Sequence, residues 1–467
     1  MSSLPAERLM EESTAAEAIS APRRGFMARV LVDAFSRTGA RAGAVWIVIV
    51  TIGAVLAPFI ASSHPYVMRE NGKLSFPLFR HLHPVDIVLP AAGIAALVLM
   101  LKRNLSMGKS LALVLWVSAV VGAATTWPSF PAYFHDSLMD LFGRAFAWIL
   151  IIGFALVLLA TIVAVPFFLT RRSVVITGSL LMPVVIWVLV FPVRPPVTVV
   201  YSKYREDTQA KLIQWAIYAP IPYSPSDRMN DLGDTSFLPP GKAHWMGTEY
   251  NGADVFSRMI HACRIALAIG LISTGIARLI GIVIGGIMGY FVGRIDILGM
   301  RLIEVFEAIP TLFLLITFVA FYGRNLYAMM VIIGITGWTS TARFIRAEFL
   351  RLRNQDFVQA AIASGLPLTS VLFKHMLPNG VTPVLVTTSF GIASAILYES
   401  TLSFLGLGLI DEPSWGQILN QARGVGASFV WWIAIFPGAA IFLTVLAYNL
   451  IGESLRDALD PKLRKAE

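Results

Sequence analysis

Long apolar runs recur along this 467-residue chain, and any fold it adopts has to bury them. They lie at about residues 44–61, 86–101, 111–126, 145–169, 174–193, 267–291, 311–322, 327–344, 382–405 and 431–451, the 311–322 run being lengthened by residues on either side. Apolar runs near ~20 residues read as transmembrane helices, whereas a membrane barrel would show short alternating segments. With 56% hydrophobic and only 14% charged residues, the composition excludes a soluble domain of this size. The expected fold class is therefore an all-α polytopic membrane protein with about ten transmembrane helices. The net charge of +9 reads as basic cytosolic loops and attraction to anionic lipid, not as nucleic-acid binding. A single cysteine, Cys263, excludes an internal disulfide and argues against a thiolate metal cluster.

Taken in order, residues 1–43 are polar and then basic, with Arg23, Arg24, Arg29, Arg37 and Arg41. The first apolar run starts too late for a secretory signal, so this tail is expected to stay in the cytosol. A surface helix at about residues 25–36 would lie on the membrane. The first span, 44–61, leads to a polar outer stretch at 64–84. Residues 62–193 then hold four further spans with short connections. Lys102, Arg103 and Lys109 place the first of those connections in the cytoplasm, and Arg171 and Arg172 do the same for the third. The middle one, with Asp136 and Asp140, lies outside. An even number of inserted spans returns the chain to the outer face for a long loop at 194–260. A core at 261–455 and a tail at 456–467 follow, with both termini cytosolic.

One polar stretch in the core stands apart. Residues 351–379 read RLRNQDFVQAAIASGLPLTSVLFKHMLPN. Small and apolar residues recur there at helical spacing, and Gly365 and Pro367 interrupt them. A helix, a turn and a short second helix ended by Pro378 are expected, on the cytoplasmic face because Arg and Lys are frequent.

This stretch resembles the "EAA" loop of permease subunits of ABC importers. Gln359-Ala360-Ala361, Gly365 and Leu377-Pro378 fill its pattern. Gln359 replaces an acidic residue, and His375 stands where the general pattern has an apolar one. The ending His375 to Asn379, and the approach RAEFLRLRN, are similar to the dipeptide, oligopeptide and microcin-type importers. Upstream, HWMGTEYNGADVFSRMIHACRIAL resembles an outer motif of the same branch through Gly247, Thr248, Gly252, Asp254 and Arg258, with Glu249 in place of Asp and Ala253 in place of Arg. It either folds the outer loop onto the mouth of the pathway or is turn chemistry alone. The segment GRIDILGMRLIEVFEAIPTLFLL resembles an amphipathic cytosolic stretch ending at Ile309-Pro310. The run from Glu399 to Gly408, the sequence Pro413 to Gly416 and the tail LRDALDPKLRK are also similar to that branch.

Over about residues 194–467 and the first span, the chain thus resembles the second, "C-type" permease subunit of dipeptide/oligopeptide ABC importers, a binding-protein-dependent transport system inner membrane component. The resemblance implies a type I-like permease core of about six spans, to which the four spans before residue 193 are extra. It implies a homologous second permease subunit, two cytosolic ATPase subunits that hold the ATP and magnesium, an external solute-binding protein, and alternating access in the inner membrane. No cofactor is expected in this chain. The loop would dock on an ATPase. Peptides are the default solute, and related importers carry nickel or other small solutes.

Two embedded charges need partners. Arg278 lies within the 267–291 run and Glu399 near the end of the 382–405 run. Glu399, Ser403 and Arg278 either touch the translocation path or are buried struts, and Gly406 and Gly408 permit a bend. Gly285, Gly286 and Gly289 offer a small face for close helix packing. Gly108-Lys109-Ser110 supplies only the end of a phosphate-binding loop, with Arg103 where its first glycine belongs. His81 and His83 read as a solvated pair rather than metal ligands. The chain itself is not expected to be an enzyme. Two other readings stay open: a transporter that works alone, and a non-transporting scaffold on a permease core.

Overall fold

The computed structural model describes residues 26–70, 72–101, 113–114, 116–118, 121, 201–409, 412–423 and 429–459. They divide into two compact units. Among the described residues, those within 26–48, 269–398 and 442–459 belong to the first, and those within 49–268 and 399–441 to the second. In chain order the elements are α1 (Phe26–Ala34), α2 (Thr38–Ile60), β1 (Val67–Glu70), β2 (Lys73–Ser75), α3 (Pro77–His81), α4 (Pro84–Leu101), α5 (Lys203–Gln209), β3 (Ile213–Ile217), α6 (Val255–Phe291), α7 (Gly293–Ala308), α8 (Thr311–Tyr322), α9 (Leu326–Thr336), α10 (Thr339–Arg353), α11 (Asp356–Ala363), α12 (Thr382–Phe404), α13 (Trp415–Asn420) and α14 (Trp431–Leu459).

Among the described residues, five helices are long and apolar enough to cross a membrane, and six if the bent pair α7–α8 counts as one. They are α2, α6, α9 with α10 (Leu326–Arg353), α12 from Pro383, and α14. The expected count of ten is therefore met only in part. The run at 86–101 is α4, whose apolar stretch Val85–Ala96 is shorter than a full crossing. The runs at 111–126, 145–169 and 174–193 lie outside the described residues apart from isolated positions, as does Gly108-Lys109-Ser110. Two helices are longer than their apolar runs. Helix α6 begins at Val255 rather than near 267 because Asp254 caps it, its Oδ1 accepting the Ser257 amide at 2.8 Å. Helix α14 runs to Leu459, into the polar tail. The α7–α8 junction is a bend of 75° at Ile309-Pro310, where Ile309 is extended and Pro310 caps α8.

The first unit is packed through small residues. Gly281, Gly285 and Gly289 recur every fourth residue on α6 and face α10. A Cβ on Gly289 would stand 2.6 Å from the Arg346 carbonyl, and one on Gly281 2.5 Å from the Thr341 Cβ. Gly286 faces the Phe349 ring. In the same unit α1 packs Val30 and Ala34 against Leu455 and Ala458 of α14, and Arg37 pairs with Asp457. The start of α2 lies along α14, with Gly43 against Ala447 and the Trp46 indole donating to Thr444 at 2.9 Å. A helix is thus present at the expected place, as α1, and one of its faces packs on α14.

The second unit contains a three-stranded antiparallel sheet of order β2-β1-β3, which the helical reading did not anticipate. Its inner face buries Met68 and Ile213 against Tyr204. Ser63 donates to Asp227 at 2.6 Å, Arg205 grips Asp227 and Asp231, and Ser63 and Ser224 exchange backbone–side-chain bonds at 2.7 and 2.9 Å. His81 does not pair with His83. Its ring stacks on the buried His64 at 4.2 Å, and Tyr204 meets His64 edge-on at 5.4 Å.

Burial, with His81 alongside, pushes His64 down to about 4 from its ordinary 6.5, against the opposing pull of Asp227. The unfolded chain therefore binds this proton more readily than the fold does. The contribution of His64 to stability is full above pH 6.5 and is lost as pH falls toward 4. The whole difference is about 3 kcal/mol. His64→Phe keeps an aromatic ring in the stack and should flatten the pH dependence of thermal unfolding between pH 6.5 and 4. An unchanged slope in that variant would rule His64 out as its source.

Candidate functional site

The 351–379 stretch folds as a compact block. Helix α11 ends where Gly365 turns left-handed at φ +71°, with the Leu366 amide donating to the Ala361 carbonyl at 3.2 Å. Pro367 then leads into Leu368–Ser370, a π-helical turn at Val371–Met376, and Leu377–Gly380. Pro378 was expected to end the second piece; instead the helical path continues through it. Proline has no amide to give and clashes with the fourth carbonyl before it, and the wider turn just ahead makes room. The Asn379 side chain adds a bond to the His375 carbonyl at 2.7 Å.

One face of this block is buried. Val358 and Ala361 pack with Val371 and Met376 against Ile345, Phe349 and Leu352 of α10 and Val384 of α12, with Ile282 and Tyr290 of α6 alongside. The other face is open. Gln359, Ala360 and Gly365 are exposed, and so are the apolar side chains of Phe357, Ile362, Leu366, Leu368 and Phe373. Gln359 turns its amide back to the Arg353 carbonyl at 2.8 Å, a bond that a carboxylate could not donate. His375 and Leu377 are half-buried, and Pro378 is exposed. An apolar ridge on a polar turn, fixed to the ends of three long helices, can bind a partner and pass on its movement.

Two further contacts tie α10 into the unit. Arg346 grips Asp296 of α7 through both carboxylate oxygens, and Arg343 pairs with Glu307 at 2.5 Å. Arg278 of α6, buried, donates to the Thr341 hydroxyl on α10 and to the Thr387 carbonyl on α12 at 2.7 Å. Gly391 leaves the space that its guanidinium fills. The Arg278 bonds join the two helices that enter and leave the loop. Thr341 and Thr387 were not singled out from the sequence; a hydroxyl within a span facing a buried arginine is the signal that could have found them.

In the second unit, the outer motif is a tight turn closed by a Thr248–Asp254 bridge, with Gly247 at φ +77° and Gly252 at φ +75°. Thr248 accepts the Leu238 amide at 2.7 Å and donates to the Thr235 carbonyl at 2.5 Å. Asp254 holds His244 at 2.9 Å. Glu249, fully buried, lies 2.7 Å from Nε of Arg258 in an ion pair whose N–H is not aligned as a hydrogen bond, and accepts from Gln421 at 2.8 Å. Burial pushes the Glu249 carboxyl up, against the pull of Arg258. Arg258 also reaches the Pro225 carbonyl at 3.2 Å and Gln417 at 2.9 Å. Through these side chains the motif bonds the loop to α6 and α13. Removing one charge of such a pair leaves the other buried, at a cost of roughly 3–5 kcal/mol. Arg258→Ala should therefore destabilise this unit more than the double change Glu249→Gln with Arg258→Ala. Equal losses in a thermal-shift comparison would show that the two charges are not coupled.

Glu399 is buried in the last turns of α12 and accepts from Ser403 at 2.6 Å and Ser400 at 3.4 Å. Gly406 ends α12 in the left-handed region at φ +81°, and Gly408 folds back against Ser403. The expected bend is present, and Glu399 is satisfied within it. One clasp was not foreseen. Arg264 of α6 pairs with Asp86 at the start of α4 and donates to the Ala54 carbonyl of α2 at 2.6 Å. An aspartate opening an apolar run is the hint that the sequence offered.

The sequence matches the family described as "Binding-protein-dependent transport system inner membrane component" over residues 281–465. It is similar to a dipeptide transport system permease protein of Bacillus subtilis, 40% identical over 230 residues, which are 49% of this chain and 72% of the relative. It is also similar to an oligopeptide transport system permease protein of the same organism, 36% identical over 54% of this chain and 83% of the relative. A glutathione transport system permease protein of Pectobacterium atrosepticum is 39% identical over 54% of this chain and 82% of its own length. With so much of each relative matched, and with helices fit to cross a membrane, this chain belongs to the binding-protein-dependent transport system inner membrane components.

Proposed function

We propose that the chain is the permease subunit of an ATP-driven importer of peptides, and that the 351–379 block is where a separate ATPase subunit docks. The observation that carries the docking role is the exposed ridge of Phe357, Ile362, Leu366 and Leu368 around the Gly365 turn. Its buried side is packed on α6, α10 and α12. A push on the ridge therefore moves these helices together, and Arg278 keeps α10 and α12 from moving apart. The peptide class is supported by relatives named for dipeptide and oligopeptide transport. Alternating access with a second, homologous permease, two ATPases that supply ATP and magnesium, and an external binding protein complete the proposal.

In this reading the block and both termini face the cytosol. The packing of α1 on the end of α14 supports the termini sharing one side. The β1–β3 pairing likewise supports residues 67–70 and 213–217 sharing one side, which four inserted spans satisfy. The Glu249–Arg258 knot and the Glu399 turn would then stiffen the outer mouth.

The test is purification of the full chain from its own membranes in mild detergent, followed by reconstitution and uptake of radiolabelled trialanine. Co-purified ATPase activity and ATP-dependent uptake are expected. A chain that purifies alone under several mild detergents, with no ATPase activity, would contradict the proposal.

A further inference from the structure

The stretch before α4 has two faces. Pro77 and Leu78 of α3 point inward and are buried, the Leu78 amide donating to the Pro65 carbonyl at 3.1 Å. His81 is held by its stack on His64. Phe76, Phe79 and Arg80 point the other way and are exposed. With both α3 and the adjoining turn fixed from behind, the two phenyl rings stand in the open.

What lies beside them identifies the occupant. Helix α2 exposes Ile49, Ile52 and Leu56, a stripe at helical spacing on a helix apolar enough to span a bilayer. The stripe ends at Phe59 in the last turn. The Phe59 ring meets Phe79 at 6.4 Å, and Phe79 meets Phe76 at 6.5 Å. The Tyr66 hydroxyl bonds to the Phe59 carbonyl, which fixes the following loop to that last turn. The apolar surface of a span thus continues without a break into the exposed rings. It does so at the end of α2, and on a helix that crosses a bilayer such an end is where aromatic side chains are favoured. Arg80 follows immediately, a cation suited to lipid phosphate and able to reach outward from such a depth.

We propose that Phe76, Phe79 and Arg80 form an interfacial anchor that rests the sheet-bearing part of this unit on the bilayer, the rings in the upper acyl region and the guanidinium among the headgroup phosphates. The occupant is lipid rather than a protein partner. The inference rests on α2 crossing the bilayer and does not depend on what is transported.

The test is spin-label accessibility on the full chain in vesicles of phosphatidylethanolamine and phosphatidylglycerol. Cys263→Ala removes the single native thiol. Nitroxides are then attached singly after Phe79→Cys or Arg80→Cys, with Ile52→Cys as the lipid reference and Ser236→Cys as the water reference. At position 79 the label should collide with oxygen several-fold more readily, relative to a water-soluble nickel complex, than at position 236, approaching the ratio at position 52. At position 80 it should fall between the two references. A label at 79 as open to nickel as that at 236 would overturn the proposal. So would one shielded from both reagents, which would place protein there. If the label at 52 itself reports water, α2 is not a span, and that failure is distinct from failure of the anchor. Should the change at 79 disturb the fold, the label at 80 decides alone, nickel exposure equal to that at 236 counting against the anchor.

Discussion

Gly285→Leu is expected to prevent this protein from accumulating as a folded chain. A Cβ on Gly285 would come to 2.8 Å from the Cα of Ala342 and 3.0 Å from its carbonyl carbon, besides its oxygen. These are backbone atoms of α10, so no rotamer change relieves the clash. The helices would have to separate, and with Gly281 and Gly289 on the same stripe the whole α6–α10 contact would open. Overpacking of a close core costs about 1–3 kcal/mol where side chains can yield, and here it falls on backbone. Small residues at such contacts supply the close packing that holds helices together in lipid. The seam also positions Phe349 and Leu352, on which the loop block rests. The check is size-exclusion chromatography of a fluorescent fusion. Gly275→Ala, where an added Cβ meets nothing within 4 Å, is the control and should behave as the parent. A monodisperse Gly285→Leu peak of parental height would refute the packing argument.

Gly365→Leu should have the opposite character, leaving the fold intact while uncoupling it. Nothing lies within 4 Å of a Cβ built at this position, so no clash is expected. The cost is conformational, because φ +71° is disfavoured for an L-residue by about 1–2 kcal/mol. That is enough to depopulate the turn by roughly 5- to 30-fold. The turn sets the angle between α11 and the segment from Leu368, and thus the shape of the exposed ridge. Uptake per ATP hydrolysed should fall by a similar factor, with ATPase activity and chain level kept. Gly365→Asn, which tolerates the left-handed region better, should lose less. Normal coupling in Gly365→Leu would count against a role for this turn.

How far the sequence foretold this structure depends on the range of the interaction. Helix existence along the core follows from apolar length, and α2, α6, α12 and α14 lie where the runs lie. The turn at Gly365 and the break at Ile309-Pro310 are local backbone chemistry and were legible. Capping extended α6 to Val255, because Asp254 acts on residues that are not themselves apolar. The sheet was missed because β2 is three residues long and β1 finds β3 only across the inserted segment. The same holds for Arg264 with Asp86, for Arg278 with Thr341 and Thr387, and for Glu249 with Gln421. Each embedded charge announces that it needs a partner, but its neighbours in sequence do not say which. The Glu249 and Gln359 departures illustrate the point. Both depart from the motif in sequence, and in the structure Glu249 completes a buried ion pair and Gln359 donates a bond that an acidic residue could not make.

The central claim is that the 351–379 block docks on a separate ATPase, and one measurement addresses it directly. A photo-crosslinking amino acid is placed at the exposed position of Gln359 in the full chain, and the organism's own membranes are irradiated. The adducts are then identified by mass spectrometry. The account predicts a covalent adduct with a subunit that carries a phosphate-binding ATPase loop, absent when the same residue is placed at Ser236. Adducts at position 359 with lipid alone, or with proteins that lack such a loop, would contradict it.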